Sequence, residues 1–205
     1  MTKARARQVA LAGFIGPVVF ASAAIVGGTR VSGYSHIHNF VSELAAVGSD
    51  ARALMTIGFI AFGACILLFA WSLRVLRPAA TVLVLVIALS GAGTLTAGTF
   101  SCDPGCPAKG EMSTHQQLHN ASSVVTFSAW IVAPFVAARQ LRGTRFARAS
   151  LTIGVATLVF GVALGSMTDH TPTDPVGLLQ RVVLAAVGVW FVLLALEARR
   201  DVAVV

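Results

Sequence analysis

The sequence predicts an all-α membrane protein: one bundle of six transmembrane helices, with a short interfacial helix after the first span. Three observations predict it. Hydrophobic residues make up 56% of the 205 and charged residues 11%, with a mean hydropathy of +0.82; a soluble domain carries roughly 25% charged residues. Six apolar runs, at 9–28, 53–73, 79–99, 117–138, 150–167 and 176–196, each come close to the roughly 20 residues that cross about 30 Å of hydrocarbon as helix. Lys3, Arg5, Arg7, Arg74, Arg77, Arg139, Arg142, Arg145, Arg148, Arg199 and Arg200, 11 of the 15 basic residues, flank alternate ends of those runs. The positive-inside rule then expects a protein integral to the cell membrane with both termini cytoplasmic.

Spans and short connections use up residues 1–205, so a single integral-membrane domain is expected. The net charge of +7 sits in clusters at span ends, where it sets topology and meets anionic membrane lipids. Nucleic acid is not an expected partner, because no basic groove carries aromatic platforms. The first run follows basic residues, yet it is too long for a typical signal-peptide core and lacks a clear small-x-small cleavage site. It reads as a retained first span.

The connections carry the local signals. In the first outer segment, roughly 29–52, Asn39–Val47 reads as a short helix ended by Gly48. Phe40, Val41, Leu44 and Ala45 form its apolar stripe. Ser49 or Asp50 is expected to cap the second span. The second outer segment, 100–114, contains Cys102-Asp103-Pro104-Gly105-Cys106 with a Pro-Gly turn. It hands over to Ser113-Thr-His-Gln116, a capping box at the start of the fourth span. In the third outer segment, Asp174 and Pro175 are spaced as N-cap and first residue of the last helix. Ser90, Thr94 and Gly98 on one stripe, and the pair Gly161 and Gly165, favour close helix approach in lipid. Pro17 and Pro134 are expected to kink the first and fourth spans.

All five histidines, His36, His38, His115, His119 and His170, lie in or next to the outer segments, so any chemistry belongs at that end. His115 and His119 are i and i+4 on one helix face, a spacing that suits two ligands of a divalent metal such as zinc. The helix N-terminus keeps both rings neutral. Loop capping is the other duty open to them. Glu43 and Asp103 are the carboxylates expected to join, leaving a metal position for water, although Asp103 also suits a plain Asp-Pro-Gly turn. Glu43, Asp103, His115 and His119 are thus the catalytic candidates, with His115, His119 and Asp103 as metal ligands.

Arg181, six residues into the last span, is costly in hydrocarbon. It either snorkels to the headgroups, pairs with Glu43 or Asp103, or holds an anionic headgroup through two parallel hydrogen bonds. Arg181, Ser42 and Tyr34 are the candidates for holding substrate. A Ser42 nucleophile has weak support, as no Gly-x-Ser-x-Gly elbow is present. Cys102 and Cys106 face an oxidising compartment on this topology and suit a disulfide; a Cys/His zinc site is the alternative. Cys65, mid-span, is a packing residue, and Asp169 and His170 read as a solvated turn.

Several pieces together carry a resemblance: Gly13–Pro17, Gly33-Tyr34-Ser35, Ser42-Glu-Leu-Ala-Ala-Val-Gly48, the Gly-rich third span, and Asp103 followed by His115 and His119. Over roughly 10–196 the chain resembles the DUF998 family of six-helix integral membrane proteins of bacteria and archaea. The family's usual Gly-Ala after Ser-Glu-Leu is Ala45-Ala46 here, which would stiffen the short helix. The resemblance implies a six-helix fold and a face of interest, but no reaction. Intramembrane hydrolases built on Ser, Asp and three His offer a chemical analogy only, since order and span positions differ.

The expected function is a small integral-membrane enzyme with a polar pocket opening to the extracytoplasmic side. Its substrate would be a lipid or isoprenoid-like molecule, turned over by metal-assisted hydrolysis or acid/base isomerisation. The alternative is a non-catalytic protein, either a structural partner in a membrane complex or a small transporter; polar groups kept at one end of the spans argue against transport.

Overall fold

In the computed structural model, residues 1–167 and 171–200 are described, so Asp169 and His170 lie outside the described residues. The elements in chain order are α1 (Lys3–Val9), α2 (Ala12–Gly28), a 3-10 helix (Val41–Ala45), α3 (Arg52–Leu76), α4 (Thr81–Thr99), α5 (Thr114–Gln140), α6 (Arg145–Ser166) and α7 (Val176–Arg199). No strand occurs among the described residues. Six helices are long and apolar enough to cross a membrane, the first of them running from Lys3 to Gly28 through α1 and α2. Each successive pair from α2 to α7 packs together, α7 returns to α2, and α3 also touches α7. The spans therefore close a ring.

Small residues make the ring tight. Helix α2 buries Gly13, Gly16, Phe20, Ala23, Ala24 and Gly27, a three-and-four spacing that lines one face. At Gly63 an added Cβ would lie 2.7 Å from Gly91 O and Leu95 N, so α3 and α4 meet backbone to backbone. Such contact supplies dispersion where lipid removes most of the hydrophobic drive. Phe62 stacks against Phe20, Trp130 and Phe191 at the centre. The outward faces remain apolar, with Ile25, Ile57, Leu85, Val124 and Val162 all more than 60% exposed.

The short helix after the first span forms, but as one 3-10 turn. Val41, Leu44 and Ala45 are at most 2% exposed, and burying a side chain such as Leu44 contributes about 1.5–3 kcal/mol. Phe40, expected in that stripe, is only half-buried. Two expected caps shift. Ser49 does not cap α3 as an N-cap, since the helix opens from Ala51 without a side-chain cap; Ser49 instead donates to Leu44 O and accepts from Ala51 N. Asp174 turns back on Thr171, accepting from its backbone N and Oγ1, and Pro175 becomes the cap residue of α7. Both proline-bearing helices continue, α2 through Pro17 and α5 through Pro134. Of the pair on α6, Gly161 would bring a Cβ 3.0 Å from Ile131 while Gly165 has no described atom within 4 Å, so only Gly161 serves a close approach.

Candidate functional site

The connecting segments at one end of the bundle lock onto one another. Val47 N donates to Cys102 O and Leu178 N to Ile37 O, each at 2.9 Å. His38 Nδ1–H donates to Asp174 O at 3.2 Å. Cys102 and Cys106 are joined as a disulfide with Cα atoms 5.1 Å apart, turned by Gly105 at φ +79°.

Asp103 closes this loop onto α5. Its carboxylate accepts from Ser113 N at 2.9 Å and Ser113 Oγ at 2.7 Å, and Ser113 Oγ accepts from Gln116 N. These two Ser113 bonds hold the Asp103 carboxyl below its ordinary pKa. Gln116, fully buried, accepts from Asp103 N at 2.7 Å and donates to Pro107 O and Asn120 Oδ1. The expected capping box is therefore half formed. Ser113 caps α5, but Gln116 turns to the loop and Asp103 takes its place.

Glu43 and Arg181 meet the same strand of backbone from two sides. Glu43 Oε1 accepts from Phe40 N at 2.7 Å and Oε2 from Asn39 Nδ2 at 2.8 Å. Arg181 Nη1 donates to Asn39 O at 3.0 Å and Gly177 O at 2.9 Å. Its Nη2 donates to Tyr34 OH, which in turn donates to Phe40 O. Among the described residues no carboxylate lies within ion-pair distance of Arg181. Burial pushes the Tyr34 phenol up, Arg181 opposing and Glu43 adding to that rise.

His119 is 4% exposed and faces the end of α4. Its Nδ1 lies 2.9 Å from Ala97 O and 3.0 Å from Phe100 O. Both partners can only accept, so Nδ1 carries the proton and Nε2 is the acceptor in the neutral ring. The histidine thus satisfies carbonyls that the end of α4 leaves without helical partners. Beside it is a cavity of about 200 Å³ whose polar lining includes Asn120, Ser123, Thr126, Thr94, Gln180 and Ser42. Gln180 accepts from Val41 N at 2.6 Å.

A second cavity, about 510 Å³, runs between α2 and α7 and is almost wholly apolar. Phe20, Val41, Trp130 and Leu184 belong to the walls of both cavities. Trp130 Nε1–H is buried without an acceptor among the described residues. At its loop end the groove is lined by His36 and Arg181.

The geometry divides the sequence-predicted residues. Tyr34, Glu43 and Arg181 gather around Asn39, and Ser42 and His119 both line the smaller cavity. His115 is exposed, its ring edge-on to Phe100 at 5.4 Å, while Asp103 is bound to Ser113. The catalytic candidates Glu43, Asp103, His115 and His119 are thus not gathered around one centre. Among the described residues no group of three or more His, Cys, Asp or Glu is placed to hold one metal ion. Sequence reading gave Gln116 a capping role only and missed Asn120, Ser123, Thr126 and Gln180. Gln116, Asn120 and Ser123 recur at helical spacing and Gln180 adjoins Arg181, but residues 114–123 are polar all round apart from Leu118 and Ala121, so the spacing did not stand out.

No curated protein and no solved structure matches the chain. A family model, described as a protein of unknown function (DUF998), matches residues 14–197. Spanning nearly all of the six-helix bundle, that match makes this protein a member of the DUF998 family.

Proposed function

We propose that this protein is a small integral-membrane enzyme acting on a lipid or isoprenoid-like substrate, with His119 as its general base and both termini cytoplasmic. The observation that carries the reading is the state of His119. It is buried beside a largely apolar cavity that carries a few polar groups, its proton fixed on Nδ1 by two carbonyls and its Nε2 lone pair left over. Nε2 can take a proton from a water or substrate hydroxyl, and the two carbonyls then stabilise the imidazolium. The α2–α7 groove, which shares four wall residues with this cavity, supplies a place for the hydrocarbon chain.

Acid/base chemistry fits the donor set better than a metal does. His115, Asp103 and His119 diverge, so a zinc ion would find one imidazole and neutral oxygens where three protein ligands are usual. A non-catalytic lipid-binding protein is the second reading, favoured by one observation: Glu43 and Asp103 both hold loop backbone.

The test is His119→Asn, which keeps an N–H for Ala97 O and Phe100 O but removes Nε2. Wild type and variant are reconstituted in vesicles of phosphatidylglycerol, phosphatidylcholine and a polyprenyl phosphate, and the lipids followed by mass spectrometry. A product formed by wild type and reduced at least a hundredfold in the variant is expected, in line with general-base contributions of roughly 10²–10⁴. Equal product levels in both would reject His119 as base, and no product in either would favour the non-catalytic reading.

A further inference from the structure

We infer that the groove between α2 and α7 is a binding site for a phosphate-bearing membrane lipid, one chain lying in the groove and the headgroup oxygens on Arg181. The inference rests on the lipid reading of that groove and names the class of molecule it takes.

The charge comes first. Arg181 has five N–H donors; two on Nη1 go to Asn39 O and Gly177 O, and one on Nη2 goes to Tyr34 OH. That leaves Nε–H and the second Nη2–H with no protein acceptor among the described residues. All three partners are neutral, and Glu43 reaches Arg181 only across Asn39 and Phe40, so the guanidinium, in a membrane-spanning helix where charge is costly, has no direct counter-ion among the described residues. The bonds already made fix the plane of the group, which lowers the entropy lost when an oxyanion arrives.

Shape and depth agree with an amphiphile. Arg181 lies five residues into α7, about 7–8 Å along its axis at 1.5 Å per residue. With a hydrocarbon core of roughly 30 Å crossed by a 24-residue helix, a guanidinium that near the helix start is within reach of headgroups. From Arg181 the groove follows α7 past Leu184, Gly188 and Val192 to Leu193, roughly 18 Å by the same rise and a little more than half of a roughly 30 Å core. Val18, Ile25 and Val189 on its edges are exposed, so the groove opens sideways to lipid.

Phosphate is favoured over carboxylate by the second polar group. The His36 ring lies against Gly28 of α2, where an added Cβ would come 2.4 Å from Nε2, so the groove mouth has Arg181 on one wall and an imidazole on the other. A tetrahedral phosphate presents oxygens toward both walls, whereas a planar carboxylate fills the Arg181 edge alone.

Native mass spectrometry of the full chain in micelles containing equal phosphatidylglycerol and phosphatidylcholine tests this. Wild type is expected to retain phosphatidylglycerol preferentially, Arg181→Gln to lose that preference about tenfold or more, and Arg181→Lys to keep part of it. Ala185→Phe, which fills the groove one turn below Arg181, alters none of the residues that Arg181 bonds to and is expected to lose both lipids. Lipid retained by wild type without charge preference overturns the inference and spares the lipid-binding reading. Oleate displacing phosphatidylglycerol from wild type at equal concentration overturns the choice of phosphate. Lipid retention unchanged by Ala185→Phe strikes the groove itself, and with it the lipid reading of the site.

Discussion

Gly177→Ala is expected to be among the most damaging single methyl additions in this protein. A Cβ at Gly177 would sit 2.3 Å from Asn39 O and 2.9 Å from Arg181 Nη1. No flexible side-chain end can yield there, because the obstacle is a backbone carbonyl. Asn39 is held on its other atoms by Ser35 N at 2.8 Å and Glu43 Oε2 at 2.8 Å. Its carbonyl must retreat by about 1 Å, at an overpacking cost of roughly 1–3 kcal/mol. That movement breaks the Arg181 bond to Asn39 O, whose loss next to a charge adds about 1.5–3 kcal/mol. Gly188→Ala on the same helix is the control: its Cβ would meet Pro17 Cβ at an ordinary 3.5 Å, and helix propensity favours the alanine by about 0.8–1 kcal/mol. Thermal unfolding followed by fluorescence-detected size exclusion reads the ranking. At roughly 2–4 °C per kcal/mol for a chain of this size, Gly177→Ala should melt at least about 5 °C below wild type and Gly188→Ala at or above it. Equal midpoints for the two variants would refute the close approach of the 29–51 segment to α7.

Asp103 gives a pH dependence with a definite sign. Its folded pKa is depressed by the two Ser113 bonds, so its contribution is present above the unfolded pKa and is lost as pH falls through the folded one. The melting difference between wild type and Asp103→Asn should persist from pH 7 to 5 and shrink only in the more acid range; a difference that shrinks between pH 7 and 6 instead would show that another group titrates. For topology, single cysteines introduced in the 139–148 connection should resist a membrane-impermeant maleimide on intact cells, while one at Lys109 should react. Labelling of the 139–148 connection from outside would invert the orientation.

Spans were legible because their signal is local and redundant: each needs only a run of apolar residues, and basic residues mark alternate ends. Boundaries failed where a partner distant in sequence competed. Ser113 and Gln116 have the spacing of a reciprocal cap, yet Asp103, ten residues earlier, takes the Ser113 N–H with a charged acceptor, and Gln116 is drawn to Asp103 N and Pro107 O. Asp174 is likewise captured by Thr171. The histidine pair shows a geometric limit. Four residues make 400° of turn at 3.6 residues per turn, so the two rings differ by about 40° in direction and 6 Å in height. That is enough to put His119 inside the bundle and leave His115 exposed.

Polar atoms without partners separate structure from site at the loop end. Glu43 has both oxygens bound, Asp103 likewise, and Gln116 has three bonds, so each explains its own presence as part of a cap or brace. His119 and Arg181 also support backbone, one at the end of α4 and the other at Asn39, but each has polar groups without a protein partner among the described residues: Nε2 on the first, Nε–H and one Nη2–H on the second. Both line cavities, and the cavities share the wall formed by Phe20, Val41, Trp130 and Leu184. An imidazole and a guanidinium with unused hydrogen-bonding groups thus stand on either side of one wall. A chain-and-headgroup substrate held at Arg181 with its reacting group toward His119 gives both a use, which is why acid/base chemistry on a lipid is the reading these residues support best.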